Sequence, residues 1–166
     1  MNIILIGMRG SGKSTVGKLL AERLLMPFYD LDNILAAKEG MPITEVIQKH
    51  GWEYFRDRES EIAEGISGPA NAVIATGGGV ILREKNIEAL KKNGKFVYLK
   101  TSIETMLNRI GEDRTRPSLT NQPAITDEIK QVLFEREPLY QKIATITVQT
   151  DNKTVQDIAN EIMKQI

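Results

Sequence analysis

The chain of 166 residues has no cysteine, which excludes disulfides, thiolate metal sites and a cysteine nucleophile and fits a reducing compartment. It has no excess of either charge: 22 Lys and Arg stand against 22 Asp and Glu, for a formal net charge of zero. General nucleic-acid binding, which needs a net basic face to displace counterions, is therefore disfavoured, while a local arginine cluster stays open. Long hydrophobic runs are also missing. The opening MNIILIG has no cationic lead, and its apolar stretch is too short for a signal peptide or a membrane span. No repeat, low-complexity tract or Ser/Gly/Pro-rich linker divides the chain. With 41 % hydrophobic and 27 % charged residues, the sequence reads as one domain over 1–166, large enough for a core and too short for two. The expectation is a cytoplasmic monomer with no nucleic-acid or membrane partner.

Short apolar runs alternate with segments of helical period. Residues 2–6 (NIILI) read as a buried strand ended by Gly7, and Val16, Leu19, Leu20 and Leu24 then recur at helical spacing. Further strand candidates are Phe28–Tyr29, 72–75 (AVIA), 95–99 (KFVYL) and 145–149 (TITVQ). Val155, Ile158, Ala159, Ile162 and Met163 share a face of a closing helix, with Thr154 as its N-cap. The alternation predicts an α/β domain, a three-layer α/β/α sandwich around a parallel sheet of about five strands. Ligands of such sheets sit beyond the carboxyl ends of the strands, which directs attention to loops 7–14, 30–33, 76–80 and 100–103. Residues 111–125 (GEDRTRPSLTNQPAI) lack apolar periodicity, and an irregular stretch of that length in a compact domain is usually functional or disordered.

Residues 7–14, GMRGSGKS, match the phosphate-loop pattern in full, after a predicted strand and before a predicted helix. Gly7, Gly10 and Gly12 permit positive φ, so successive N–H groups can turn towards a phosphate chain, and the helix start adds its partial positive charge. Lys13 can bridge the β- and γ-phosphates, and the Ser14 hydroxyl can ligate Mg²⁺. The run 72–75 ends in Thr76 and three glycines, without the acid that many such proteins place after a strand to hold the metal. Asp30 and Asp32 are the obvious substitutes. On an extended segment both would point into one cleft; they could equally be a helix N-cap and a first-turn acid. No N-K-x-D element is present, and the chain is far too short for a transporter-type ATPase. A small-molecule kinase fits best.

The ordered set Asp30-x-Asp32, Phe55-Arg56-x-x-Glu59, Gly77-Gly78-Gly79, Arg109, Arg114-Thr115-Arg116-Pro117 and Arg136-x-Pro138-Leu139-Tyr140, together with GMRGSGKSTVGKLLA, resembles the shikimate kinases along nearly the whole chain. These belong to the nucleoside-monophosphate-kinase-like P-loop group, so the resemblance implies a P-loop kinase fold with a mobile lid at about 111–125 and a substrate-binding segment at about 31–62. It implies transfer of phosphate from MgATP to the 3-hydroxyl of shikimate. Asp32 would orient or deprotonate that hydroxyl, Lys13 and Arg116 would join it in catalysis, and Asp30 would hold Mg²⁺ through water with Ser14. Gly10, Ser11, Gly12, Lys13, Ser14, Thr15, Arg109 and Arg116 would bind the nucleotide, Arg109 packing on the adenine. Arg56 and Arg136 would grip the carboxylate, Phe55 would wall the pocket, and Gly77, Gly78 and Gly79 would line it, Gly78 and Gly79 offering N–H groups.

The residue chemistry agrees, because a planar guanidinium meets a carboxylate with two parallel hydrogen bonds. The plainer readings are that Arg56 pairs with Glu59 on a helix surface and that Arg136 pairs with Glu135 or Glu137. The chain departs from the family at Trp52 (usually Glu), Ile47 (often Phe) and Ser118 (commonly Leu). Trp52 reads as a partly buried packing residue and His50 as a surface residue. The rivals are a gluconate-type or nucleoside-monophosphate-type kinase and a non-catalytic nucleotide-binding module.

Overall fold

A computed structural model of the chain describes residues 1–68, 71–110, 120 and 124–166. The strands β1 (Asn2–Ile6), β2 (Phe28–Asp30), β3 (Val73–Ala75), β4 (Gly94–Lys100) and β5 (Ile146–Gln149) form one sheet ordered β2-β3-β1-β4-β5. Every neighbouring pair is parallel. The helices among the described residues are α1 (Lys13–Leu24), α2 (Leu31–Glu39), α3 (Ile43–Ser67), α4 (Glu84–Lys91), α5 (Ile103–Ile110), α6 (Ile125–Ile143) and α7 (Val155–Met163). None of them is long and apolar enough to cross a membrane.

The strands are apolar on both sides because both sides are covered. Ile3 and Leu5 of β1, Val73, Val97, Leu99, Ile146 and Val148 meet Val16 and Leu20 of α1 and Ile158 and Ile162 of α7. Ile4 and Ile6, Ile74, Phe96 and Tyr98 face the other layer, built with Leu35 of α2, Ile62 of α3, Leu90 of α4, Met106 of α5 and Val132 of α6. This period-2 division produces the expected sandwich. It also creates the crevice: β1 feeds α1 on one face, while its neighbour β3 feeds α4 on the other. Adjacent strand ends whose connections part in this way leave a cleft between them, flanked here by residues 7–12 and 76–79.

The strand expectations hold to within a residue or two. Of the two readings of Asp30 and Asp32, the cap and first-turn reading holds, and both residues still line one cleft. Asp30 and Asp32 do not lie together on an extended segment: Asp30, with φ −114 and ψ 115, is the N-cap of α2, and Asp32 sits in its first turn. The Asp30 carboxylate accepts a hydrogen bond from the Asn33 N–H at 3.2 Å, which starts the helix immediately. Thr154 caps α7 as expected, in a full capping box with Asp157. Of the expected lid over about 111–125, the last residue, Ile125, opens α6. Most of that segment, including Arg114, Arg116 and Ser118, lies outside the described residues.

Candidate active site

The first cleft forms around the start of α1. Gly12, the N-cap, has φ 90 and ψ 14, and the first turn carries neither a side-chain cap nor an acidic residue. By contrast, α2 and α7 are capped by Asp30 and Thr154. A helix start left without an acid presents N–H groups and a partial positive charge to an anion. Gly10, Gly12, Lys13, Ser14 and Thr15 line this cleft with Asp30 and Arg109. Lys13 is buried, its Nζ donating to the carbonyls of Gly7 and Met8 at 2.8 Å each. Ser11, one of the expected nucleotide contacts, is fully buried within the loop, its N–H donating to the Met8 carbonyl at 3.2 Å.

Ser14 donates its hydroxyl to Asp30 Oδ2 at 2.5 Å. Among the described residues no cluster of three or more His, Cys, Asp or Glu is placed to hold a metal. One hydroxyl beside one carboxylate nevertheless suits Mg²⁺, which keeps several waters and takes its remaining oxygens from substrate phosphates. Arg109 reaches from α5 to the loop, donating to the carbonyls of Gly10 and Ser11 at 3.3 Å and to the Thr150 carbonyl at 3.4 Å. It thereby ties the phosphate loop to the turn after β5. That turn is held by Asp151, which accepts from Ser102 Oγ at 2.6 Å, from Thr105 and from Gln149. Burial alone would raise the Asp151 pKa, but these bonds and the Ser102 N–H outweigh it and bring the carboxyl down to about 2.

The second cavity adjoins the first and is walled by Ile47, Trp52 and Phe55. Asp32, Arg56, Gly77, Gly78, Gly79 and Arg136, all expected to bind substrate, line it together. Gly51 (φ 84, ψ 170) breaks α3 and re-aims its second segment. Arg56 lies 5.0 Å from the Phe55 ring centroid and 5.5 Å from that of Trp52, and donates to Glu59 Oε2 at 2.7 Å. The pairing with Glu59 is real but is not a surface one, since the Glu59 side chain is 2 % exposed. The surface pairing considered for Arg136 is also overturned: Arg136 is buried, while Glu137 pairs with Lys100 at 2.8 Å. Burial holds the Arg136 guanidinium below its ordinary pKa, partly offset by Tyr140.

Glycine is needed at 77 and 79 for space rather than for conformation. A Cβ on Gly79 would collide with the Arg56 guanidinium, and one on Gly77 would lie 2.6 Å from Glu59 Oε1 and 3.1 Å from Asp32 Oδ1. The Gly77 and Gly79 carbonyls accept from Val80 and Leu82, and the Gly78 carbonyl accepts from the Tyr140 hydroxyl at 2.5 Å. The triad is therefore fixed from behind.

Several lining or supporting residues escaped the sequence reading as site residues. Glu59 is one: its Oε1 is buried without a hydrogen-bond partner, and burial raises its pKa against the opposing charge of Arg56. The (i, i+3) spacing from Arg56 was the available signal. Tyr140 is another, its hydroxyl pushed up to about 12 by burial. Trp52 is partly buried as expected but also lines the cavity, and His50 is exposed, stacked on Tyr54 at 4.4 Å.

Residues 9–166 match the family model described as shikimate kinase. The shikimate kinase of Sulfurihydrogenibium sp. is 42 % identical over 165 residues, covering 99 % of this chain and 97 % of that one. The structure of the shikimate kinase from Acinetobacter baumannii in complex with shikimate superposes with a TM-score of 0.93 at 37 % identity, covering 98 % of this chain and 90 % of that one. The Aquifex aeolicus shikimate kinase gives 0.86 at 38 % identity, with 99 % and 95 % covered.

Proposed function

Because the chain belongs to the shikimate kinase family, we propose that it transfers the γ-phosphoryl group of ATP to the 3-hydroxyl of shikimate. The observation that carries this reading is the buried Arg136 facing one cavity together with Arg56 and Asp32. Arg56 already has Glu59 as its anion, and a second guanidinium removed from water beside that pair gains when a further anion enters the site. The acidic group of shikimate is of the right sign and shape for two planar forks.

In this reading the N–H groups at the start of α1 and Lys13 hold the triphosphate, and Arg109 backs the loop at the adenine end. Ser14 and Asp30, the latter through water, are the residues that would hold Mg²⁺, which when bound neutralises charge on the β- and γ-phosphate oxygens. Arg56 and Arg136 clamp the shikimate carboxylate, Phe55 shields the ring, and the Gly78 and Gly79 N–H groups orient it. Asp32 takes the proton of the 3-hydroxyl as that oxygen bonds to the γ-phosphorus. The bond from phosphorus to the β–γ bridging oxygen breaks, its electron pair staying with ADP. Arg116 assists from the segment between α5 and α6. The chain works as a single-domain cytoplasmic monomer, with 31–62 as its substrate segment.

A coupled ADP-release assay tests this. ADP is expected to appear with shikimate present and to stay at background with gluconate or nucleoside monophosphates. Equal release without shikimate, or preference for another acceptor, would overturn the assignment.

A further inference from the structure

Three residues line both cavities: Arg9, Asp32 and Gly78. A phosphoryl group passing from donor to acceptor has to cross the seam that they share. Asp32 and Gly78 already have parts there. Arg9 is the cation among the three, and its part is not explained by the carboxylate clamp, which lies with Arg56 and Arg136.

Resting on the shikimate kinase reading, we propose that Arg9 is a further catalytic residue, whose guanidinium leaves Glu128 to pair with the phosphoryl group in transit. Arg9 belongs to the phosphate loop itself, between Met8 and the positive-φ Gly10. Its side chain is 19 % exposed, and it pairs with Glu128 of α6, 7 % exposed, at 3.4 Å. Charge-assisted pairs held tightly sit at about 2.7–2.9 Å, as Arg56 and Glu59 do at 2.7 Å. The Arg9 pair is looser, and a multiply charged phosphoryl group is a stronger anion than one carboxylate. Arg9 forms no covalent bond; it stabilises charge on the equatorial oxygens while one P–O bond replaces the other. Lys13 serves those oxygens from the loop side, and Arg9 would serve them from the acceptor side.

The rival explanation is that Arg9 only neutralises Glu128, whose charge would otherwise repel an anionic acceptor. Four proteins separate the two: wild type, Arg9→Met, Glu128→Gln and the double variant. Arg9→Met should lower kcat by about 10²-fold, the scale of losing one preorganised donor to a transition-state oxyanion. It should bind MgADP, which lacks the γ-phosphate, as the wild type does. The double variant should stay as slow as Arg9→Met. Recovery of rate in the double variant, or an unchanged kcat in Arg9→Met, overturns the proposal. Should Arg9→Met melt below the assay temperature, Arg9→Lys takes its place: it keeps the charge but loses the fork, so about a 10-fold loss of kcat is expected, and wild-type kcat would overturn the proposal. If the wild type itself gives no shikimate-dependent ADP, the functional reading fails rather than the assignment of Arg9.

Discussion

Around the donor cleft, five of the twelve lining residues come from one continuous stretch, residues 10–15, which includes a helix start without a side-chain cap. Around the acceptor cavity they are side chains on α2, α3 and α6 and a glycine turn after β3, brought together only by the packed fold. Backbone geometry set by a local loop withstands disturbance elsewhere. A side-chain clamp inherits every shift of the helices that carry it: the Arg56 head is placed by Glu59, by two aromatic rings and by the missing Cβ of Gly79. Packing changes should therefore damage acceptor binding while sparing nucleotide binding.

The sharpest test of that division sits on the seam. Asp32→Asn should reduce kcat by about 10²- to 10⁴-fold, the range for losing a general base, with the dissociation constant for MgATP within about twofold of wild type. A comparable loss of nucleotide affinity would mean that Asp32 belongs to the donor side.

Gly79→Ala comes next. The clash falls on the far end of a flexible side chain, so Arg56 can swing away and the fold should survive with little change in melting temperature. The displaced guanidinium should raise the KM for shikimate by about 10²-fold, roughly the 2.7 kcal/mol expected from losing a charge-assisted fork. An unchanged KM would show that Arg56 does not touch the acceptor.

Arg136→Lys keeps the charge and removes the fork, so a rise of about 10-fold in the KM for shikimate is expected, with kcat less affected. Equal Michaelis constants would undo the clamp at this position. Titration of Trp52 fluorescence gives a readout independent of turnover, since Trp52 lines the cavity and lies against Arg56 and Phe55.

The same contrast decides how much of each site is legible in the amino-acid sequence. The phosphate loop is legible because its function lies in glycine positions, one lysine and a following helix, all adjacent along the chain. The strands are legible from apolar runs bounded by glycine or polar residues, although the order β2-β3-β1-β4-β5 depends on long-range pairing that periodicity does not encode. Arg56 and Arg136 stand out only through the family resemblance, because a guanidinium beside an acid on a helix reads equally as a surface pair. Burial is what separates the two readings, and burial is a tertiary property. Asp30 and Asp32 show a related limit: alternate residues share a face only while the strand lasts, and Asp30 ends it by capping α2, yet both residues line the donor cleft. Arg9 is hidden inside a motif whose pattern leaves its position unspecified.

The smallest expected effect lies at the rim of the donor cleft, where Asp151 joins the β4–α5 turn to the β5–α7 turn that Arg109 ties to the phosphate loop. Its carboxyl is held at about 2, below the ordinary 3.8. A group with a depressed folded pKa contributes stability above its unfolded pKa and loses it as the pH falls through the folded value. Asp151→Asn should thus lower the melting temperature by about 3 °C at neutral pH, the shift of roughly 1 kcal/mol in a domain of this size. That gap to wild type should narrow as the pH falls from about 4 to about 2, as the wild-type carboxylate is protonated. Because this side chain braces a backbone-built cleft from outside, the KM for shikimate should stay unchanged. A gap that stays constant with pH would show that the Asp151 bonds owe nothing to its charge, and a raised KM for shikimate would mean that the two cavities are not as independent as their construction implies.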